Sequence, residues 1–350
     1  MLRIGVVGAG LIAWAHALGL RAMADSGVID ASLSCVFDTD PTRMSRFADA
    51  LEMRTARDAG ELVDSCDAVW VCTPTASHGE VVELVAAAGK AVFCEKPLDR
   101  DITRVEALTS IVTANAIPAQ VGLVLRSTPV FRALRDIVQS EELGEPMAVV
   151  FRDDQYFPIQ GMYGSTWRGD VSQAGGGCLI EHSIHDLDIL RFCLGEIDEV
   201  SGRTSNFSGH PGIEDSANAT LRFASGASAH LVSVWHDILS RPSTRRVEVF
   251  CRRGLVWLDD DFLGPLHVQK SDALEERTCP LPSWVEELPL ALDDVGLAIR
   301  LYAEADRAFV DAVNAGDMPG PDFTEALTAH RLVDAVYRSA ESGGVPISLR

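Results

Sequence analysis

Apolar runs alternate with helix-like segments over residues 1–125, at the spacing typical of βαβ units. The predicted strands are residues 2–7, 33–37, 67–72, 91–94 and 118–125, and the predicted helices are residues 11–24, 41–51, 77–88 and 102–112. Most of these strands are apolar at successive rather than alternate positions, which indicates a parallel sheet covered on both faces. The pattern therefore predicts an α/β fold for this part of the chain.

From residue 126 onwards the apolar positions recur with period two, as in strands that have one solvent-facing side. The predicted strands are residues 147–152, 216–223, 227–234, 246–251 and 255–258, and the predicted helices are residues 129–139, 181–193, 296–315 and 324–342. The turns at residues 224–226 and 252–254 end in glycine and favour antiparallel pairing. We expect two domains: residues 1–125, and residues 126–350 as an α+β domain with an open, mostly antiparallel sheet.

Composition and charge narrow the range of partners. Of the 350 residues, 47% are hydrophobic, which is enough apolar side chain for a sizeable core. The net charge of −21 creates a surface that repels phosphate backbones and anionic lipids, so we expect no nucleic acid and no membrane partner. The sequence has no apolar run of the about 18 residues that indicate a membrane span. A small molecule is the expected partner.

The eight cysteines show no C-x-x-C spacing. They are typical of buried, reduced thiols in a cytoplasmic protein rather than of a disulfide frame or a zinc site. A secretory signal is the alternative, because Arg3, an apolar stretch and Ala22-Met23-Ala24 have its layout. His16 interrupts that stretch and a glycine pattern opens it, so we favour a cytoplasmic location.

A glycine motif, Gly8-Ala9-Gly10-Leu11-Ile12-Ala13, joins the first predicted strand to the first predicted helix. In such a motif the first glycine makes a tight turn, the second lets the backbone approach a pyrophosphate, and the third position needs a small residue. The N–H groups of the helix N-terminus, at Leu11 and Ile12, bind phosphate without any Lys or Arg. An ordinary strand–helix turn is the alternative, but the context favours a dinucleotide.

Asp38 ends the second predicted strand, where an acidic residue binds the adenosine ribose in dinucleotide-binding folds. A carboxylate there accepts hydrogen bonds from the ribose hydroxyls and repels a 2′-phosphate. No Lys or Arg follows before Arg43, so NAD is favoured over NADP. The alternative is that Asp38 only caps the turn into the next helix.

Two further segments follow predicted strands and so lie at the carboxyl edge of the sheet, where ligands bind in such folds. The first segment contains Thr73, Pro74 and His78, and the second is Glu95-Lys96-Pro97. An ammonium group beside a cofactor can polarise a substrate oxygen or change its protonation state, which a guanidinium cannot do. Lys96 is therefore a candidate catalytic residue, with a surface lysine at a strand end as the alternative.

A glycine run, Gly175-Gly176-Gly177, precedes a predicted helix that starts near Glu181. Glu181 and His185 are at i and i+4, so an α-helix places them on one face, with Asp188 one turn further along. This face combines a base of near-neutral pKa with carboxylates that can orient it. A metal site is the alternative, but the H-E-x-x-H pattern and its inverse are absent, so we expect no metal.

Together these motifs resemble those of the Gfo/Idh/MocA oxidoreductases. The matching pieces are Gly8-Ala9-Gly10, Thr73-Pro74 with His78, Gly89-Lys90, Glu95-Lys96-Pro97, Trp167-Arg168, and the glycine run leading to His185 and Asp188. The resemblance implies an N-terminal Rossmann domain that binds NAD(P) and a C-terminal domain for substrate binding and oligomerisation. The family pattern has Asp where this chain has Glu181 and Gly where it has Ser183.

The resemblance further implies hydride transfer between NAD(P) and a hydroxyl or keto carbon of a sugar, polyol or cyclitol. We expect His185 to act as general base on the hydroxyl and Lys96 to hydrogen-bond the same oxygen. Glu181 is expected to orient His185 or to bind a neighbouring hydroxyl. The residues expected to line the nicotinamide and substrate side of the cleft are Arg126, Trp167 and Arg168.

Two other functions fit the same motifs. The first is an NAD-dependent glycosidase, in which transient oxidation permits elimination and the cofactor is regenerated. The second is a regulatory protein that binds the cofactor without turnover.

The predicted strand at residues 227–234 has apolar side chains on both faces. Helices of the same domain can cover one face of an open sheet, which leaves the other face in need of a partner. We therefore expect a homodimer or homotetramer formed through that face.

Overall fold

The structure is a computed structural model that describes residues 1–140, 142–291 and 294–349. The chain forms two compact units, the first from Met1–Val124 and Pro282–Leu327, the second from Leu125–Leu281 and Thr328–Arg350. All eight cysteines are free and buried, as the sequence predicted. No helix within the described ranges is long and apolar enough to cross a membrane.

The first unit is built on a six-stranded sheet with helices between the strands. Its strands are β1 (Leu2–Val7), β2 (Ala31–Phe37), β3 (Arg54–Thr55), β4 (Ala68–Val71), β5 (Ala91–Cys94) and β6 (Ala119–Val121), and the helices between them are α1 (Leu11–Asp25), α2 (Pro41–Ala50), α3 (Ala59–Ser65), α4 (His78–Ala87) and α5 (Ile102–Asn115). All neighbouring strands are parallel, which confirms the predicted α/β Rossmann sheet. The last strand is shorter than predicted, because a 3₁₀ turn begins at Val124.

The strand order β3-β2-β1-β4-β5-β6 reverses between β1 and β4. Ligands of open parallel sheets bind outside the carboxyl ends of the strands at such a reversal. The loops that leave β1, β4 and β5 all lie at this edge, since parallel strands end on the same side. These loops carry the glycine motif, the Thr73-Pro74 segment and Lys96.

Two apolar layers cover the faces of this sheet. On β4, Trp70 is fully buried in one layer together with Leu20 of α1, whereas Val69 and Val71 are fully buried in the other. Burying side chains of this size stabilises the fold by roughly 1.5–3 kcal/mol each. The apolar residues of β4 are continuous because both faces of the strand are covered by apolar layers, as the sequence predicted.

The second unit is built on a nine-stranded sheet. The elements that follow β6 along the chain are α6 (Pro129–Gln139), β7 (Pro146–Tyr156), α7 (Val171–Ala174), α8 (Ile184–Leu194), β8 (Ile197–Ser205), β9 (Ser216–Phe223), β10 (Ser228–His236), β11 (Thr244–Cys251), β12 (Gly254–Leu258), β13 (Leu266–Lys270), β14 (Ala273–Arg277), α9 (Ser283–Glu286), α10 (Asp294–Ala315), α11 (Phe323–Glu341) and β15 (Ile347–Ser348). The strand order is β14-β13-β12-β11-β7-β10-β9-β8-β15. Neighbouring strands are antiparallel except β7 and β10, which confirms the predicted mostly antiparallel sheet.

This second sheet has one buried and one open face. Along β7, Val149 and Phe151 are fully buried, whereas Val150 between them is 46% exposed. β10 alternates in the same way, with Leu231 buried and Val232 37% exposed. The buried side chains share one apolar core with side chains of α8 and α11.

Residues 282–327 belong to the first unit, although the sequence analysis placed all of residues 126–350 in one domain. The helix α10 in this segment packs against α1. Its Phe309 lies edge-on to Trp70, with ring centroids 4.9 Å apart. The physical reason for the difference is that an amphipathic pattern shows that a helix has an apolar face, but not which sheet that face covers.

Candidate active site

The loop from β1 to α1 has the conformation that its glycine motif predicts. Gly8 has a φ of +93°, and a Cβ on it would lie 2.6 Å from the carbonyl oxygen of Cys72. Any side chain there would strain the backbone and clash with the loop after β4. A Cβ on Gly10 would meet no atom within 4 Å. The loop is therefore tight at Gly8 and open at Gly10, which leaves room for a ligand against the backbone.

The N-terminus of α1 presents backbone N–H groups at this loop. Gly10 is the N-cap, no side chain of the described chain caps the helix, and the first turn contains no acidic residue. Leu11 and Ile12 begin the helix, and Ala13 is fully buried, as close packing of helix and strand requires. Uncapped N–H groups and the helix dipole attract an anion. These residues fit the pyrophosphate of a dinucleotide.

Asp38 lies just after β2 with a buried side chain. Its Oδ2 accepts a 2.7 Å hydrogen bond from the backbone N–H of Ala9, and its Oδ1 accepts one of 2.8 Å from that of Asp40. The guanidinium of Arg43 lies 3.9 Å from Oδ2. Asp38 thus holds both the glycine loop and the turn into α2, and an ionised carboxylate has further acceptor sites for ribose hydroxyls.

His78 joins the two loops that follow β4 and β5. Its buried ring lies with Nδ1 2.7 Å from the carbonyl oxygen of Pro97 and Nε2 2.8 Å from that of Thr73. His78 therefore shapes this edge by fixing the two loops to each other. Pro74 leads into the 3₁₀ turn Thr75–Ser77. The Thr73 hydroxyl is buried and has no hydrogen-bond partner among the described residues, which suits a contact with a ligand.

Lys96 follows β5 and is half-buried at the same carboxyl edge. Its backbone N–H donates a 3.3 Å hydrogen bond to Oε2 of the buried Glu95. The other oxygen of Glu95, Oε1, lies 3.0 Å from Nε2 of His16 in α1. The sequence did not indicate that His16 contacts Glu95. The only sign was a polar residue inside an apolar helix.

In the second unit the glycine run leads into a π-helical turn, Leu179–Ser183, before α8 begins. The carboxylate of Glu214 accepts hydrogen bonds from the N–H groups of Gly177 at 2.7 Å and of Leu179 at 2.9 Å. A Cβ on Gly177 would overlap the backbone of Glu214. Glycine is therefore required because of a segment that lies outside the motif. The prediction of an α-helix starting at Glu181 is wrong, since Glu181 lies in the π-helical turn.

Glu181 has a fully buried side chain. Its Oε2 accepts a 2.9 Å hydrogen bond from Nε of Arg168, whose guanidinium carbon lies 4.2 Å from the ring centroid of Trp167. His185 is buried in the first turn of α8. The structure thus brings Glu181 together with Arg168, a pairing that the sequence did not indicate. Turns of π-helix are frequent at functional sites.

Arg126 and Asp188 form a bidentate ion pair. Nε of Arg126 lies 2.7 Å from Oδ2 of Asp188, and Nη2 lies 2.6 Å from Oδ1. Both side chains are largely buried. Because paired hydrogen bonds of this kind fix geometry, the pair holds Arg126 against the helix that carries His185.

A buried cluster of charged side chains also involves α8. Arg245 of β11 donates hydrogen bonds to Asp186 at 2.6 Å and to Asp261 at 2.7 Å, and it lies 3.5 Å from Asp153. Burial and the neighbouring Asp153 carboxylate raise the pKa of Asp186 to about 7, in spite of Arg245. Sequence reasoning missed this cluster because its members come from four separate segments.

Comparison with known families gives two matches. The family described as "Oxidoreductase family, NAD-binding Rossmann fold" matches residues 2–123, and "GFO/IDH/MocA C-terminal domain" matches residues 131–257.

Individual proteins are similar over almost the whole chain. The inositol 2-dehydrogenase of Rhizobium meliloti (strain 1021) is 31% identical over 351 residues, which cover 97% of this chain and 96% of that protein. The crystal structure of an oxidoreductase domain protein from Kribbella flavida has a TM-score of 0.86 at 25% identity, covering 100% of this chain and 99% of that one. Levoglucosan dehydrogenase in complex with NADH and levoglucosan has the same fold, with a TM-score of 0.85 at 22% identity over 99% of each chain.

Proposed function

Because the chain belongs to the Gfo/Idh/MocA family of NAD-binding oxidoreductases, we propose that it oxidises a hydroxyl of a cyclitol, polyol or sugar. The observation that carries the proposal is the position of Lys96, which leaves β5 at the sheet edge that also presents Gly8 and Gly10. An ammonium group at that edge can stabilise negative charge on a substrate oxygen. The similarity to an inositol 2-dehydrogenase supports a cyclitol or polyol as substrate class.

NAD is the cofactor, and the first unit would hold it. Gly8, Gly10 and the first N–H groups of α1 would bind the pyrophosphate, and Asp38 would bind the adenosine ribose. The open space at Gly10 and the uncapped helix end support this assignment. When bound, NAD supplies the acceptor for the hydride that leaves the substrate carbon.

His185 is the general base of the proposed reaction. Imidazole is the side chain whose ordinary pKa suits proton transfer near neutral pH. The burial of His185 in the first turn of α8 keeps the ring in place, and the Arg126–Asp188 pair holds the same helix from one side. In the reductive direction the same ring returns the proton to the substrate oxygen.

Lys96 donates a hydrogen bond to the same substrate oxygen. Negative charge grows on this oxygen as its proton leaves, and a fixed ammonium group stabilises it more in the transition state than in the bound substrate.

Glu181 positions Arg168 for contact with the substrate. The hydrogen bond of 2.9 Å uses one N–H group of the Arg168 guanidinium, which has five. The guanidinium lies over the face of the Trp167 ring, which supports it through a cation–π contact. The remaining N–H groups suit the several hydroxyls of a polyol. Glu181 thus acts through Arg168 in this proposal.

The test is a substrate panel of inositols, hexoses, pentoses and sugar acids with NAD, in which formation of NADH is measured. We expect NADH with a cyclitol or polyol, and its loss in Lys96→Ala. Lys90→Ala is the matched control, because Lys90 precedes β5 at the opposite end of the same strand. Tight NAD binding without NADH from any substrate would favour a regulatory protein. Release of sugar from a glycoside without net NADH would favour a glycosidase.

A further inference from the structure

A chain of hydrogen-bonded side chains inside the first unit links α1, the turn after β5, and α10. Its centre is His16, which is fully buried. Nε2 of His16 lies 3.0 Å from Oε1 of Glu95, and Nδ1 lies 2.7 Å from Oδ1 of Asp306. The indole N–H of Trp70 donates a 3.1 Å hydrogen bond to the same oxygen of Asp306. These four residues are called the His16 network below.

Both partners of His16 are carboxylates, which only accept hydrogen bonds when they are ionised. A neutral imidazole has one N–H and donates to one of them, whereas an imidazolium donates to both. Burial lowers the pKa of His16, but the carboxylates of Asp306 and Glu95 outweigh this effect and raise it to about 10. With one carboxylate oxygen at each ring nitrogen, the geometry suits an imidazolium at His16.

Two aromatic rings and two buried thiols lie close to the network. The rings of Phe93 and Tyr302 lie edge-on to His16, with centroids 5.0 and 5.1 Å away. Burial and the nearby Glu95 carboxylate raise the pKa of the thiols of Cys72 and Cys94, so both stay neutral. The two thiols therefore add no charge beside the network.

The network lies directly beside the turn that carries Lys96. A buried ion pair stabilises a fold no better than well-packed apolar side chains of the same volume. The His16 network, however, includes Glu95, the residue that precedes Lys96. Gly122 leaves space for the Glu95 side chain, since a Cβ on Gly122 would overlap the carboxylate of Glu95.

We propose that His16 is a positioning residue for Lys96, an inference that rests on the proposed function. Glu95 connects the two, because its Oε1 faces His16 while its Oε2 accepts the backbone N–H of Lys96 at 3.3 Å. His16 belongs to α1, whose N-terminus would bind the pyrophosphate. The network therefore ties the turn that carries the catalytic ammonium to the helix that would hold the cofactor.

The test is a double-mutant cycle between His16 and Lys96. His16→Gln removes the positive charge and keeps a donor for only one carboxylate. We expect it to lower kcat by about 10–100-fold in the wild-type background, as a small displacement of a catalytic group does. In the Lys96→Ala background the same substitution should change kcat by less than about twofold, because the group it positions is gone. An equal loss in both backgrounds overturns the proposal.

Two further variants keep this cycle interpretable. His330→Gln replaces a buried histidine of α11 and is the matched control, with kcat of the folded protein unchanged. NADH titration of the same preparations should show that His16→Gln retains cofactor binding. If His16→Gln does not fold, Asp306→Asn, which preserves shape and removes the carboxylate beside Nδ1 of His16, replaces it in the cycle with the same expectation.

A second measurement does not depend on turnover. Nitrogen chemical shifts of ¹⁵N-labelled histidine report whether both ring nitrogens carry protons. At pH 8, between the ordinary imidazole pKa of ~6.5 and the raised value of about 10, His16 should be an imidazolium in the cofactor-free protein. A neutral His16 overturns the proposal whatever the substrate is. An imidazolium in a protein that forms no NADH from any substrate overturns the proposed function instead, and with it the catalytic role of Lys96.

Discussion

The carboxylate of Asp38 accepts a 2.7 Å hydrogen bond from the backbone N–H of Ala9, inside the glycine loop. The residue that would select between NAD and NADP therefore also shapes the loop that would bind their common pyrophosphate. Arg43 lies 3.9 Å from the same carboxylate oxygen and donates a 3.5 Å hydrogen bond to Asp40. Asp38 would thus couple cofactor preference to the conformation of the glycine loop.

This coupling predicts two effects of Asp38→Ala. NAD binding should weaken by about 10–100-fold, because a hydrogen bond to a charged group contributes ~1.5–3 kcal/mol. The preference for NAD over NADP should also narrow, since a 2′-phosphate would no longer meet a carboxylate and would find Arg43 nearby. Kinetics with both cofactors measure the two effects. The control is Asp58→Ala, which removes the N-cap of α3 and should leave the preference unchanged. A wild-type preference for NADP would contradict the assignment.

Substitution of Gly8 should lower stability, whereas substitution of Gly10 should abolish NADH binding. Gly8→Ala forces a side chain into a positive φ and against the carbonyl oxygen of Cys72, so the melting temperature of the cofactor-free protein should fall. In Gly10→Ala the new methyl group enters open space, so the fold should persist while NADH binding is lost. Thermal melting and NADH titration of both variants measure this contrast. Normal NADH affinity in Gly10→Ala would show that the pyrophosphate does not bind there.

Lys96→Ala and His185→Ala should each lower kcat by at least about 10²-fold, the usual loss for an oxyanion donor or a general base. NAD affinity should change far less, because Gly8 and Gly10 would hold the pyrophosphate. If both groups act on one oxygen, as proposed, the double variant should be less impaired than the product of the single effects. Glu181→Gln should lie between these variants and the wild type, because it weakens the support of Arg168.

Single-turnover measurements on these preparations, together with their melting temperatures, separate catalysis from stability. If Lys96 and His185 only support packing, the variants lose stability while the folded fraction retains kcat. A folded His185→Ala protein with near-normal hydride transfer would rule out the base.

Asp186 should make a pH-dependent contribution to stability. Its folded-state pKa of about 7 lies above the ordinary value of 3.8, so folding favours the protonated carboxyl. This contribution to the free energy of unfolding is fully present below about 3.8 and is lost as the pH rises towards 7. Denaturant unfolding measures the free energy of unfolding of wild type and of Asp186→Asn. The difference between the two values should change with pH over this range.

Asp170→Asn is the control, because the pKa of Asp170 is shifted in the opposite direction from that of Asp186. Hydrogen bonds at Ser172 lower the pKa of Asp170, so its contribution is present above 3.8 and lost as the pH falls. A pH-independent difference between wild type and Asp186→Asn would mean that Asp186 titrates normally in the folded protein.

The open face of the second sheet should be an interface between copies of this chain. Val150 and Val232 lie exposed on this face, on the neighbouring strands β7 and β10. Light scattering should show a homodimer or homotetramer, and Val150→Glu combined with Val232→Glu should shift it towards the monomer of 37.8 kDa. Phe207→Glu changes an 84% exposed residue outside the sheet strands and should leave the assembly intact. A wild-type monomer at micromolar concentration would refute the interface.

Local features of this chain were predictable from the sequence because a few neighbouring residues suffice to produce them. The turn at Gly8 and the N-terminus of α1 depend on six consecutive residues, and the capping of α2 depends on Asp40 and the proline that follows it. The parallel sheet followed from runs of apolar residues, since only a strand covered on both faces needs them. Lys96 and His185 were found as candidates in the same way, from the ends of elements that the pattern located.

Features that depend on distant partners could not be predicted in this way. His16 is 79 positions from Glu95 and 290 from Asp306, so its contacts with these two carboxylates arise from packing alone. The π-helical turn at Glu181 follows backbone N–H groups that donate hydrogen bonds to the Glu214 carboxylate. The helix α10 belongs to the first unit, where its Phe309 packs edge-on against Trp70. The period of apolar residues shows which face of an element is buried, but it contains no information about which other element buries it.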